Sequence, residues 1–207
     1  AHTCAQEALE LGQTMGDVWT HRGALTVLGL VAEARGELPE AARVFAELVA
    51  QSQATGNRLL TGINICKLAG VYHAQGQWER AHTMFAQSRE IFATIDYPSG
   101  TTLVYGHLGR AYYNEGNYAA AVTQFRTCLE ISREMGGNWE IARVLASLGH
   151  ALLAAGDRTQ AHHCFIEAAD MAVRIDSRSE LLVALLGIAM LLVHAGHDRL
   201  ALALAHL

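Results

Sequence analysis

Five glycines stand 40 residues apart: Gly36, Gly76, Gly116, Gly156 and Gly196. Each begins the same short pattern. An alanine follows five residues later (Ala41, Ala81, Ala121, Ala161, Ala201), and a phenylalanine nine residues later (Phe45, Phe85, Phe125, Phe165), with Ala205 in the last copy. A fixed period of this length marks a chain built from one supersecondary unit repeated in series. Such units bury a core by stacking on their neighbours, and they present an extended surface for binding rather than a catalytic cleft.

Within a unit, numbered from its glycine, positions −11, −8, −5 and −4 are apolar: Tyr105, Leu108, Ala111 and Tyr112 in the third copy, Leu145, Leu148, Ala151 and Leu152 in the fourth. Spacings of three and four place them on one stripe of a helix. Position −7 is always small (Gly29, Ala69, Gly109, Gly149, Ala189). A glycine inside a helix costs about 1 kcal/mol against alanine, so close approach of a neighbouring helix must offset it. The alanine at plus five is the expected small partner on the second helix, and the phenylalanine one turn on fills the space between units.

At plus twenty stand Gly16, Gly56, Asp96, Gly136 and Asp176, expected just past helix ends. Asp17, Asn57, Ser99, Asn138 and Ser177 follow as expected N-caps. Pro39 and Pro98 lie near helix starts, where a missing N–H is harmless. Each unit then reads as two helices of about 16–18 residues joined by short turns. The expected division is a second helix over 1–16, full repeats over 17–56, 57–96, 97–136 and 137–176, and a truncated repeat over 177–207, all in one domain. Both ends cut a unit, and the last segment, Leu200–Leu207, is apolar where arrays carry a polar cap. A fragment of a larger protein is expected, with other domains of the parent packing at the ends.

Half of the residues are hydrophobic, yet no uncharged apolar run reaches membrane-spanning length. The amino-terminal Ala1-His2-Thr3-Cys4 has no charged leader. A cytoplasmic location is expected. Net charge is −5 with no basic run, so no nucleic-acid contact is expected of this segment. The four cysteines are widely spaced and read as reduced core residues. Lys67 is the single lysine, against fourteen arginines, a bias expected of a GC-rich bacterial genome.

The run Leu108-Gly109-Arg110-Ala111-Tyr112-Tyr113-Asn114-Glu115-Gly116-Asn117-Tyr118-Ala119-Ala120-Ala121 resembles the tetratricopeptide repeat, and the likeness covers essentially the whole chain. Most such repeats have 34 residues. The longer variant resembles arrays in MalT-type signal-transduction ATPases (the STAND class) and related LuxR-type bacterial transcription regulators. The same variant also resembles peptide-binding adaptors of the spindle-orientation and kinesin-light-chain kind. The resemblance implies an all-α fold, a right-handed superhelical solenoid of antiparallel helix pairs in about five repeats. It implies a sensor that binds a small-molecule effector or a protein or peptide signal in a concave groove, or alternatively a peptide-binding scaffold with no nucleotide switch. No cofactor is implied.

In that fold the first helix of each unit lines the groove. Carried over by position, the polar groove candidates are His73, Arg110, Tyr113, Asn114, Arg143 and His150, with Lys67 and His107 at the edge. Arg110 and Arg143 are expected as forks for carboxylate or phosphate, Tyr113 as a stacking face, and His73 and His150 as hydrogen-bond partners. The bland alternative is a set of solvated residues whose arginines pair with local acids. Removing Arg110 and Arg143 together is expected to abolish binding and leave unfolding unchanged. Val183, Leu186, Met190 and Val193 make an apolar last groove, read as covered by a further unit or as a partner site.

Other constellations carry less. His162, His163 and Cys164 are adjacent on a helix and diverge by about 100° per residue, so they do not converge on one ion. His194 and His197 lack further ligands. Cys128 and Cys164 fall on successive second helices, as packed thiols or as a redox pair. No catalytic motif is present, and Glu79, Glu130 and Glu140 read as solvated acids on exposed helical faces.

Overall fold

The polypeptide alternates 17-residue helices with turns of about three residues because each helix ends on a residue in the left-handed region. A computed structural model describes residues 2–196. Ala201, Ala205, His197 and the apolar segment 200–207 lie outside the described residues. Ten helices follow in order: α1 His2–Met15, α2 Val18–Ala34, α3 Leu38–Ala54, α4 Arg58–Ala74, α5 Trp78–Thr94, α6 Pro98–Asn114, α7 Tyr118–Met135, α8 Asn138–Ala154, α9 Arg158–Arg174 and α10 Arg178–His194. No strand occurs among the described residues.

The turn chemistry follows the expected register. Gly36, Gly76, Gly116 and Gly156 have φ of 75°, 78°, 79° and 91°, so a Cβ would strain each turn. Between units, Asp96 and Asp176 adopt φ of 48° and 52°, the left-handed geometry that glycine holds at Gly16, Gly56 and Gly136. Asp17 and Asn57 cap α2 and α4, accepting from the backbone N–H of Trp19 and Leu60. Ser177 stands at the N-cap of α10 without a side-chain bond. Two expected caps are corrected. Pro98 heads α6, so Ser99 lies inside it, and Gly137 holds the N-cap position of α8, so Asn138 is its first helical residue. Asn117 and Asp157 cap the second helices α7 and α9 instead.

The small residues at −7 sit where expected, with a different partner. A Cβ on Gly29 would lie 2.9 Å from Phe45 Cζ, one on Gly109 2.5 Å from Phe125 Cε1, and one on Gly149 2.6 Å from Phe165 Cε1. The phenylalanine ring of the same unit, rather than the alanine at plus five, is the group nearest each glycine. The alanines are nonetheless fully buried, as at Ala41, Ala81, Ala121 and Ala161.

The chain divides into two compact units, 1–104 and 105–207. In the first, α1 to α5 each pack on their sequence neighbours, around Leu25, Val44, Phe45, Leu48, Leu68 and Val71. In the second, α7 to α10 do the same, and α8 also meets α10. Its core gathers Phe125, Leu129, Val144, Leu145, Leu148 and Phe165. No helix among the described residues is long and apolar enough to cross a membrane.

Candidate functional site

The expected site residues fall in both units. Lys67 and His73 belong to the first, on α4. His73 is buried and its ring stacks on Trp78, with centroids 6.3 Å apart and planes at 19°. Lys67 is half-buried, its Nζ 5.7 Å from the Phe45 ring centroid. Burial pushes its pKa down, opposed by the charge of Glu33.

The other six belong to the second unit. The stretch of α6 from Tyr105 to Asn114 carries His107, Arg110, Tyr113 and Asn114. Arg110 and Asn114 are exposed, and Tyr113 is half-buried, packed against Tyr118 at 5.4 Å between centroids. Arg110 Nη2 lies 3.2 Å from His107 Nδ1. An exposed guanidinium, an imidazole and a phenol therefore follow one another along one helix at spacings of three.

Arg143 on α8 is not an open fork. Its Nε donates to Glu140 Oε2 at 3.1 Å and its Nη2 to Glu140 Oε1, in a bidentate pair whose side chains are both 23 % exposed. The guanidinium lies 5.7 Å from the Trp139 ring centroid. Gly106 on α6 makes room for it, since a Cβ there would come within 3.3 Å of Arg143 Nη2. Burial works against the charge on Arg143, but the Glu140 hydrogen bond and carboxylate outweigh it and raise the pKa. Glu140 is thus corrected from a solvated acid to the partner that orients Arg143. The bland alternative, an arginine paired with a local acid, describes this residue. Glu140 and Trp139 are the neighbours that position-by-position transfer missed; the Glu–Arg spacing of three is the signal that could have found them.

His150, one turn further along α8, is half-buried with its ring edge-on to Phe165 at 4.9 Å. Burial lowers its pKa. Beneath this region Cys128 is a free buried thiol, pushed up to about 11 by burial and by the charge of Glu140. Cys164 is also free, half-buried, and likewise raised to about 11, by burial and Glu167. On α10, Val183, Leu186, Met190 and Val193 are 41, 56, 38 and 53 % exposed. This face therefore joins a charged first helix, a paired arginine and an apolar helix. It is suited to recognising an extended ligand with a charged end and an apolar body.

Comparison with known proteins gives the architecture a context. The tetratricopeptide repeat family model matches residues 21–94 and 100–172. No curated protein matches the chain. Among solved structures, BtubC (BKLC) from P. vanneervenii is similar with a TM-score of 0.78 at 15 % identity, covering 99 % of this chain and 87 % of that one. A Signal Transduction ATPase with Numerous Domains (STAND) protein with a tetratricopeptide repeat sensor, from Pyrococcus horikoshii, gives 0.76 at 18 % identity, covering 90 % of this chain and 28 % of that one. A Rap protein complexed with Competence and Sporulation Factor gives 0.74 at 14 % identity, covering 98 % and 61 %.

Proposed function

Because the chain belongs to the tetratricopeptide repeat family, we propose that it is a non-catalytic recognition module, the sensor of a STAND-type signal-transduction ATPase that controls transcription. It binds its effector, a small molecule or a peptide, on the first-helix face of the second unit. The observation that carries this reading is the exposed Arg110 beside His107 and Tyr113 on α6, next to the Arg143–Glu140 pair. The likeness to a STAND protein's repeat sensor supports it. Arg110 serves as the anion-binding group, because Arg143 already holds a carboxylate. Lys67 and His73 of the first unit are proposed to contact the same class of ligand. The second reading is a peptide-binding scaffold with no nucleotide switch, favoured by the likeness to a Rap protein complexed with Competence and Sporulation Factor.

A thermal-shift screen of metabolites and short peptides tests this, since a ligand of the folded form raises the melting temperature. The expected result is a stabilising ligand whose effect is lost in Arg110→Ala, with the unliganded melting temperature unchanged. A screen whose every hit stabilises Arg110→Ala as much as the parent chain rejects the site. In the gene, a nucleotide-binding module upstream and a helix-turn-helix downstream favour the sensor reading, and a hit that is a peptide with neither module present favours the scaffold.

A further inference from the structure

We infer that the first unit holds a second binding site, away from the first-helix face: a cavity between α1, α2 and α3 that takes a small carboxylate with an apolar body. The cavity is about 520 Å³ and is lined by Gly12 and Gly16, the first turn of α2 with His21 and Arg22, and Ala54 and Thr55 at the end of α3. That size lies within the range of small-ligand pockets. Most of the lining is small or apolar. Two buried polar atoms on it, His21 Nδ1 and Arg22 Nε, have no hydrogen-bond partner. Buried groups left unpaired are rare in folded proteins and cost stability, so a ligand that pairs both gains what the empty cavity forfeits.

The chemistry of the two atoms sets the ligand. Arg22 Nε–H only donates, so it requires an acceptor. His21 Nδ1 donates when the ring carries its proton there, and a carboxylate offers a second oxygen to it. The Arg22 guanidinium is steadied over the Trp19 ring at 5.1 Å. Asp17 also lines the cavity, but its carboxylate is committed to capping α2, accepting from Trp19 N at 3.0 Å and from Thr20 Oγ1 at 2.5 Å. Val18 and Ala54 supply apolar wall for a short hydrocarbon body.

Comparison with the next copy shows that this space is a departure from the repeat. Forty residues on, His21-Arg22 becomes Thr61-Gly62, and Gln51-Ser52 with Thr55 becomes Ile91-Phe92 with Ile95. There the bulky pair closes on the helix: a Cβ on Gly62 would lie 2.8 Å from the Phe92 ring and 3.2 Å from Ile91 Cγ2. In the first copy smaller, more polar side chains replace those fillers, and a basic pair stands where the second buries Thr61 and Gly62. On α1, Gly12 lets the backbone of His21 approach, because a Cβ would meet His21 N at 2.7 Å.

Calorimetry on the whole chain with hexanoate as probe tests this, with hexanamide as the uncharged control. Hexanoate is expected to bind saturably, and hexanamide to bind about tenfold or more weakly. Arg22→Gln is expected to cost about tenfold or more. Thr55→Ile, which installs the residue of the next copy, is expected to remove binding without lowering the melting temperature. Arg110→Ala is expected to leave it unchanged, which separates this site from the first-helix face. A pentapeptide ending in leucine, with free or amidated terminus, identifies the source. Tighter binding than hexanoate by the free acid alone points to a chain terminus, and equal or weaker binding to a free organic acid. Hexanoate that fails to saturate, binds no better than hexanamide, or binds Arg22→Gln as well as the parent chain overturns the inference.

Discussion

Replacing Gly149 by alanine tests the packing rule on which the repeat rests. The substitution favours helix α8 locally, because alanine exceeds glycine in helix propensity by about 1 kcal/mol. The tertiary effect runs the other way. The new Cβ would lie 2.6, 2.8 and 2.9 Å from Cε1, Cδ1 and Cζ of Phe165, against an ordinary carbon–carbon separation of about 3.5–4 Å. The ring must move by close to 1 Å, and it has nowhere to go. Phe165 is fully buried. Behind it stands Gly187 of α10, where a Cβ would meet the same ring at 2.2 Å, and His150 packs against its edge at 4.9 Å. Overpacking of this kind costs about 1–3 kcal/mol, so a net loss of about 1–2 kcal/mol is expected once the propensity gain of about 1 kcal/mol is set against it. Gly23→Ala is the control. Gly23 is exposed within α2 and a Cβ there meets nothing within 4 Å, so it is expected to stabilise by up to about 1 kcal/mol. Urea unfolding followed by circular dichroism reads both. In Gly149→Ala combined with Phe165→Leu, the smaller side chain relieves the clash, and the two effects are expected to fall short of additivity by about 0.5 kcal/mol or more. A Gly149→Ala midpoint at or above that of the parent chain would refute the reasoning.

Other outcomes follow from the second unit. Arg143→Ala leaves the half-buried Glu140 carboxylate without its partner and is expected to destabilise by about 1–3 kcal/mol, so a denaturation midpoint equal to the parent's would show that the pair contributes nothing; only Arg110→Ala then remains a clean binding test. His150 has a folded pKa below the ordinary imidazole value of 6.5 because burial disfavours its charge. Its contribution is therefore present above that pH and lost as pH falls through the folded value; in His150→Phe the drop in melting temperature between about pH 7 and pH 5 should shrink, and an unchanged drop places the titrating group elsewhere. Cys128 and Cys164, raised from 9.0 to about 11, favour the neutral thiol in the folded chain, so their stabilisation is present below pH 9 and lost as pH rises to about 11. In alkylation at neutral pH, exposed Cys4 should react first and buried Cys128 last, and equal rates at the two would contradict the burial of Cys128.

What the period made legible is what stacking forces on every copy. Gly109 and Gly149 must be small because a phenylalanine ring fills the space above each, and that demand returns every 40 residues. The turns were legible for the same reason, even where Asp96 and Asp176 replace glycine, because the left-handed geometry recurs whichever residue adopts it. Local exceptions escaped. Pro98, with its φ fixed, starts α6 one residue ahead of Ser99, and Gly137 adds a residue before α8 that takes the cap position from Asn138. The candidate site was legible as positions and not as partners. Register placed Arg143 on the first helix of its unit, but its pairing with Glu140 depends on the space that Gly106 leaves on α6. The cavity beside His21 and Arg22 was least legible, because a void is defined by side chains that are absent. It emerges only when Gln51, Ser52 and Thr55 are set against Ile91, Phe92 and Ile95. In an array, then, the shared pattern encodes stacking, and specificity belongs where one copy abandons it: a repeat that gives up its own packing at a single interface has exchanged core for a site.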